Sequence, residues 1–401
     1  MAATTSPLID LLDPSSFAHG QPQEQFRWLR DNDPVHRHAE PDGPGFWAIT
    51  RHRDVKAIGR DPTTFSSEPS TMIADGAALD LGGHQMMLFM DPPRHTGYRH
   101  VLSGDFIPRA ARALQPRIRE LAATIIDGVA QRGQCDLVED VAGLMPSYVI
   151  AEMLGIPHSD GVALYRLTET IHAAPESVPE GAGLGAVIEM FNYAHGVWED
   201  KRAHPGNDLA TKLITGAVDG VELDEIDFNL YFLLLIDAGG DTTRNLVAGG
   251  MQALFEHPDA RQQLGGDLDR LLPGAVEEML RWVSPVVYMR RTATTDAIVG
   301  GQQIAAGDKV VMYYGAANRD PEAFVEPDRF AIDRHPNDHV AFGGGGPHFC
   351  LGAHIGRLEI DAMLREILTR LPDMQPDGDT EWLPSTFISG PKHLPVRFTP
   401  A

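Results

Sequence analysis

With 401 residues, 43% hydrophobic and 22% charged, the chain has the makeup of an ordinary soluble globular protein and ample length for a large core. Its net charge of −23 opposes general binding to nucleic acid or anionic lipid, so neither is expected as a partner. Two cysteines, Cys135 and Cys350, are too few for a disulfide framework, and the N-terminal MAATTSPLIDLLDP lacks the basic and apolar regions of a signal peptide. No apolar stretch reaches the roughly 18 residues of a membrane anchor, and a cytoplasmic location is expected.

Up to about Asp91 the chain reads as mixed, with PVHRHA and GFWAIT alternating around EPDGPG as a hairpin would. From Ala110 to Leu272 a helical period dominates. Leu114, Ile118, Leu121, Ile125 and Val129 mark one buried face of a helix there. Arg94 to Arg119 carries six arginines (Arg94, Arg99, Arg109, Arg112, Arg117, Arg119) against Asp105 alone, either a solvated face or a landing site for something anionic. AAPESVPEGAGLG is a loop between helices. Phe228 to Pro258 forms a long apolar helix, LPGAVEEMLRWV a second, and RTATTDAIVGGQQIAAGDKVVMYYG short strands. A last helix spans about Ala353 to Leu371 before two extended pieces. The fold class expected is mainly α with small β-sheets in a single domain over 1–401. Its β-rich part comprises 1–91, 290–315 and 375–401, and its mainly helical part 92–289 and 316–374.

Three stretches carry chemistry. HVAFGGGGPHFCLGAHIGRLEI places four glycines before Cys350, and glycine in that number is retained where φ is positive or the backbone approaches another surface closely. The surface expected is a ligand. Cys350 precedes a helix whose N-terminus stabilises a thiolate, and Gly352 leaves room for a flat ring. A buried structural cysteine, a nucleophile and a thiolate ligand to haem iron all remain open for it. Within the long helix, AGGDTT puts two glycines and an acid where leucines pack better, each glycine at about 1 kcal/mol against alanine. The Thr242 hydroxyl can bond the Ala238 carbonyl and loosen the ladder, and with Asp241 it forms an alcohol and acid pair suited to relaying protons. EEMLR sets Glu278 and Arg281 on one helix face. His95 and Arg99 follow DPPR, Arg291 opens a strand, and His348 lies two before the cysteine. Together they are able to neutralise two buried carboxylates.

The set resembles the cytochrome P-450 family in its bacterial, soluble, class I form, from about Pro34 to the C-terminus. FGGGGPHFCLG is similar to the family's cysteine loop, with one residue more between Phe342 and the cysteine. AGGDTT resembles its oxygen-activating helix, EEMLR its ExxR helix, DPPRHTGYR its propionate-binding helix and EPDRF its arginine motif. The resemblance implies a cytochrome P-450 fold and haem b, with Cys350 as proximal thiolate. It implies that Ala238, Phe342, Gly343, His348 and Gly352 border the haem and that His95, Arg99, Arg291 and His348 hold its propionates. Asp241 and Thr242 would deliver protons during dioxygen activation, and Glu278, Arg281 and Arg329 would brace the cysteine region. The implied reaction inserts one oxygen atom into a C–H bond. Its electrons would come from a separate ferredoxin and an NAD(P)H-dependent ferredoxin reductase, the arginine-rich run being the docking surface. Met87, Leu235, Val286, Val287, Phe387 and Ile388 would line an apolar substrate pocket under the segment SSEPSTMIADGAALDLGGHQMMLF. A steroid, terpene or branched lipid is the substrate class expected. A natural-product oxidase acting on a polyketide or cyclic peptide, and a non-catalytic haem sensor, are the alternatives.

Overall fold

A 32-residue helix, Glu225–Glu256, runs through the centre of the molecule. Apolar residues surround it on nearly every side, as expected of a helix immersed in a core. The Asp224 carboxylate caps it, accepting from the N–H groups of Ile226 and Asp227 at 3.0 Å each, and Pro258 follows its end. The helix is continuous through AGGDTT. Within it the Thr242 hydroxyl donates to the Ala238 carbonyl at 3.1 Å, as expected.

Against this central helix pack Leu144–Leu154, His158–His172, Ala182–Ala203, the ExxR helix Leu268–Val283 and the C-terminal helix Ala353–Arg370. The helix Pro108–Ala130 buries Ile118, Leu121, Ile125 and Val129 as its periodicity predicts, and lies along the C-terminal helix. The computed structural model describes residues 8–41, 43–74, 81–172 and 178–401. Parts of the expected pocket cover (75–80) and of the loop AAPESVPEGAGLG (173–177) lie outside them.

The main sheet has five strands in the order Val35–His38, Phe46–Ile49, Lys309–Tyr313, Tyr288–Ala293 and Phe65–Ser66. The first two form the expected antiparallel hairpin, and Lys309–Tyr313 joins the second in parallel. Arg291 stands opposite Val310 in the middle of its strand. In a smaller sheet Pro395–Arg397 is central, pairing with Gln375–Pro376 on one side and on the other with Gln134–Asp136, a strand inside the stretch read as helical. The turn that makes this possible is at Gly133, whose φ of +72° ends the preceding helix; Cys135 then pairs with Val396 in the sheet.

Candidate active site

At Gly344 and Gly346 the cysteine loop is seated on protein where a ligand was the expected neighbour, while a Cβ on Gly343 would meet only the His348 carbonyl oxygen, at 3.9 Å. Gly343, Gly345 and Gly346 have φ of +92°, +97° and +79°. A Cβ on Gly344 would stand 2.7 Å from the Val55 carbonyl oxygen, and one on Gly346 2.1 Å from that of Gly59, both in the helix His52–Arg60. The extra residue is thus absorbed in a tight turn against that helix. The Cys350 N–H closes the turn on the Phe342 carbonyl at 3.0 Å. The Phe342 ring lies 4.5 Å from the Arg357 guanidinium and 6.3 Å from the Phe349 ring.

Cys350 itself is accessible although protein surrounds it, so its open side faces an interior space. Burial pushes its thiol up, while the N–H groups of Gly352 and Ala353 and the charges of Arg99 and Arg357 act against that shift. A Cβ on Gly352 would meet no heavy atom within 4 Å.

Four basic side chains gather beside it. The Arg99 guanidinium donates to the Phe349 carbonyl at 2.6 Å, and that of Arg291 to the Arg290 carbonyl at 2.8 Å. The His95 and His348 rings lie 4.0 Å apart. His348 Nε2 is 3.0 Å from both the Ser67 hydroxyl and the Met90 carbonyl, whereas buried His95 Nδ1 has no partner. Burial, then Arg99 and Arg291, hold His95 down at about 4. Burial, then Arg291 and His95, hold His348 down at about 2. Among the described residues none of the four has a carboxylate within ion-pair distance.

Above this cluster the central helix has one open face. Leu235 and Thr242 are half-buried and Ala238 exposed, at the spacing of a single stripe on a helix otherwise enclosed. Asp241, one residue from Thr242, points away into a buried network. Its Oδ1 accepts from the Tyr165 hydroxyl at 2.7 Å, and that hydroxyl accepts from Arg244 at 2.5 Å. Arg244 is held in turn by Glu169 and Glu139, each at 2.8 Å. Burial raises Asp241 to about 6, the Tyr165 hydrogen bond opposing the shift. Gly240 is required here, since a Cβ would stand 2.5 Å from the Tyr165 ring. Thr243 donates to Glu359 of the C-terminal helix at 3.0 Å, and burial raises that acid to about 7.

The ExxR pair is bidentate, Arg281 reaching Glu278 at 2.7 and 2.8 Å. Its third member is Arg334, at 3.0 and 3.2 Å from the Glu278 oxygens, where Arg329 was expected. The Arg329 guanidinium instead pairs with Glu326 at the surface, and only its carbonyl reaches Arg281. Glu277, the other acid of EEMLR, binds Arg357 at 2.6 and 2.9 Å and His339 at 3.0 Å, tying this helix to the cysteine loop. Sequence reasoning missed Tyr165, Arg244, Glu277, Arg334, Arg357 and Glu359. The only local signal was the alternation of charge in DTTR and EEMLR.

Of the expected pocket residues, Val286 and Ile388 form one β-bridge and Phe387 is half-buried beside them. Val287 is fully enclosed in a separate core with Tyr288 and Tyr313, which removes it from the pocket wall. Met87 is half-buried on a short turn, held near the central helix where His84 meets Asp224 at 2.8 Å.

Comparison with known proteins decides what this arrangement belongs to. The sequence profile of the family described as "Cytochrome P450" matches residues 189–393. A steroid C26-monooxygenase of Mycolicibacterium smegmatis is 36% identical over 99% of this chain and 98% of its own. The chain belongs to the cytochrome P450 family. A methyl-branched lipid omega-hydroxylase of Mycobacterium tuberculosis is 37% identical over 89% of this chain and 85% of its own. A Mycobacterium marinum cytochrome P450 solved in complex with pseudoionone superposes with a TM-score of 0.92, at 35% identity, over 99% of this chain and 100% of that one. This cytochrome P450 is a haem-dependent monooxygenase. Its own residues fit the cofactor: a dianionic ligand matches the two arginines without counter-ions, Arg99 and Arg291, with two neutral histidines as further hydrogen-bonding groups, and an unpartnered His95 Nδ1 and open space at Gly352 adjoin the accessible thiol. Among the described residues no helix is long and apolar enough to cross a membrane.

Proposed function

We propose that Cys350 supplies the thiolate ligand to the haem iron, that His95, Arg99, Arg291 and His348 take its two propionates, and that the enzyme hydroxylates a neutral or weakly polar hydrophobic molecule of the steroid, terpene or branched-lipid class. The observation that carries this reading is the accessible thiol of Cys350 beside two arginines, Arg99 and Arg291, that have no carboxylate partner among the described residues, and two histidines held neutral by burial. The haem, when bound, supplies dioxygen activation and insertion of one oxygen atom into a C–H bond. Asp241 holds a proton for part of the time near neutrality because of its raised pKa. Thr242, with its hydroxyl at rest on the Ala238 carbonyl, is the accessible end of the same route. A non-catalytic sensor has no use for this acid and alcohol. The substrate class follows from the apolar wall of Leu235, Val286, Phe387 and Ile388 and from the steroid and methyl-branched lipid named for the two relatives.

Ferredoxin and its reductase supply the electrons in this reading. Of the six arginines, Arg94 lies over Tyr98, Arg99 points inward and Arg117 is tied to Glu120 and Glu152. Arg109, Arg112 and Arg119 are exposed and form no ion pair among the described residues, which leaves them as the docking surface for an acidic protein. Two measurements test the proposal. Cys350→Ser is expected to lose the carbon monoxide band of the reduced wild-type protein, and retention of that band in place overturns the ligand assignment. Arg109→Glu with Arg112→Glu is expected to lower ferredoxin-supported turnover about tenfold at low salt; an unchanged rate and salt dependence removes the docking surface.

A further inference from the structure

Away from the basic cluster and Thr242, the pocket residues proposed above, Leu235, Val286, Phe387 and Ile388, are apolar, and one ionisable pair stands among them. His172 ends the helix His158–His172, and its Nε2 lies 2.6 Å from Asp237 Oδ1 on the central helix. The imidazole stands 5.7 Å from the Phe387 ring, and Asp237 directly precedes Ala238, the exposed residue of the open face. The pair therefore bridges two walls of the pocket. Neither side chain is sealed in: 23% of His172 and 27% of Asp237 remain exposed. Among the described residues His172 Nδ1 has no hydrogen-bond partner, so the nitrogen not used by Asp237 is free to meet a ligand.

The charges around the pair decide what that ligand can be. One nitrogen or oxygen from each of His172, Asp237 and Asp241 lies within 4.8 Å of the others. Burial disfavours a proton on His172, but Asp237, with Asp241 behind it, outweighs burial and raises its pKa. Protonated, the ring gives one N–H to Asp237 and presents the other at Nδ1. Among the described residues Asp237, Asp241, Glu139 and Glu169 face the two cations His172 and Arg244, leaving an excess of negative charge. That excess repels a carboxylate and tolerates a neutral oxygen.

We propose that the His172–Asp237 pair is the polar contact of the substrate pocket, donating from Nδ1 to a ketone or hydroxyl oxygen on an otherwise hydrocarbon substrate and discriminating against the corresponding carboxylic acid. This deepens the preceding reading and rests on it. The test uses three ligands that share one hydrocarbon skeleton and end in a ketone, an alcohol or a carboxylate. Each is titrated into the haem-loaded protein at pH 7.5, with affinity from calorimetry beside the Soret shift. The ketone and alcohol are expected to bind at least about tenfold tighter than the acid. His172→Leu is expected to weaken the ketone about tenfold and the acid little, and His172→Gln, which keeps an N–H donor, to recover part of that loss. Asp237→Asn narrows the gap between ketone and acid. Ketone binding to His172→Leu and His172→Gln as tight as to wild type, or an acid that binds wild type best, overturns the proposal. The carbon monoxide spectrum of each variant reports the haem site separately, so a failure of the Cys350 assignment shows there and a failure of this one only in ligand preference.

Discussion

Two acids, Glu278 on the ExxR helix and Asp241 on the central helix, are both buried and differently provided for. Both Glu278 oxygens are engaged by Arg281 and Arg334, with the Ala331 N–H at 2.7 Å and the Asn337 amide at 3.2 Å completing the set. Among the described residues Asp241 receives one hydroxyl hydrogen bond, and the cations beside it are engaged elsewhere, Arg244 on Glu139 and Glu169 and His172 on Asp237. A carboxylate with every lone pair engaged braces the backbone and side chains around it. One that is under-provided sits near the pH at which it gains or loses a proton, which is a property of use to catalysis and not to scaffolding. The difference separates the part of the molecule that holds the cysteine loop from the part that handles protons.

The most damaging way to break the comparison is to unbalance Glu278. Arg281→Met leaves a buried charge with Arg334 alone and strips donors from the carbonyls of Asn318, Pro327 and Arg329. A loss of about 3–5 kcal/mol in urea unfolding of the holoprotein is expected. A loss under about 1 kcal/mol would show that the pair is not structural.

Glu359 tests the opposite case, a buried acid with a single hydroxyl donor. Its folded pKa of about 7 exceeds the ordinary value of 4.5, so the wild-type protein is relatively more stable at low pH and loses stability as the unfolded chain deprotonates between about 4.5 and 7. Glu359→Gln removes that dependence. It should stabilise the protein by about 3 kcal/mol at pH 8 and by less than about 1 kcal/mol at pH 5, measured by denaturant melts at both values. Equal effects at the two pH values would place the pKa elsewhere. Asp241→Asn addresses chemistry and leaves the scaffold alone. Turnover should fall about 100-fold, and the inflection near pH 6 expected in the wild-type rate should vanish. Persistence of that inflection assigns it to another group.

The sequence makes the local parts of this division legible and hides the distant ones. Glu278 and Arg281 are three residues apart on a helix, so their pairing follows from helical geometry, and Asp241 with Thr242 follows from two glycines placed at a cost in an apolar helix. Arg334 lies 56 residues from Glu278 and Tyr165 lies 76 from Asp241, with no periodicity to link them. Arg329 was favoured over Arg334 because it occupies the position the family motif suggests, but the chain turns at Glu326, with φ of +47°, and sends its side chain to the surface. The loop glycines were read as ligand contacts because a sequence shows that the backbone is bare and not what approaches it. The strand at Gln134–Asp136 escaped for the same reason, since its partner Pro395–Arg397 is more than half the chain away.

Tyr165→Phe sharpens the comparison with the smallest change. Among the described residues the lost hydroxyl is the one group that stabilises the Asp241 carboxylate by a direct hydrogen bond, so its removal raises the Asp241 pKa further above about 6. Arg244 keeps Glu139 and Glu169, and the helix packing around Gly240 is unchanged because the ring remains. The inflection in the pH profile of turnover should therefore move upward by no more than about one unit, equivalent to about 1.4 kcal/mol, with a rate at pH 7 within about threefold of wild type. A downward shift would mean that Tyr165 acts on Asp241 chiefly by keeping Arg244 at a distance, and that the two buried acids differ in how many cations they see more than in how many hydrogen bonds they accept.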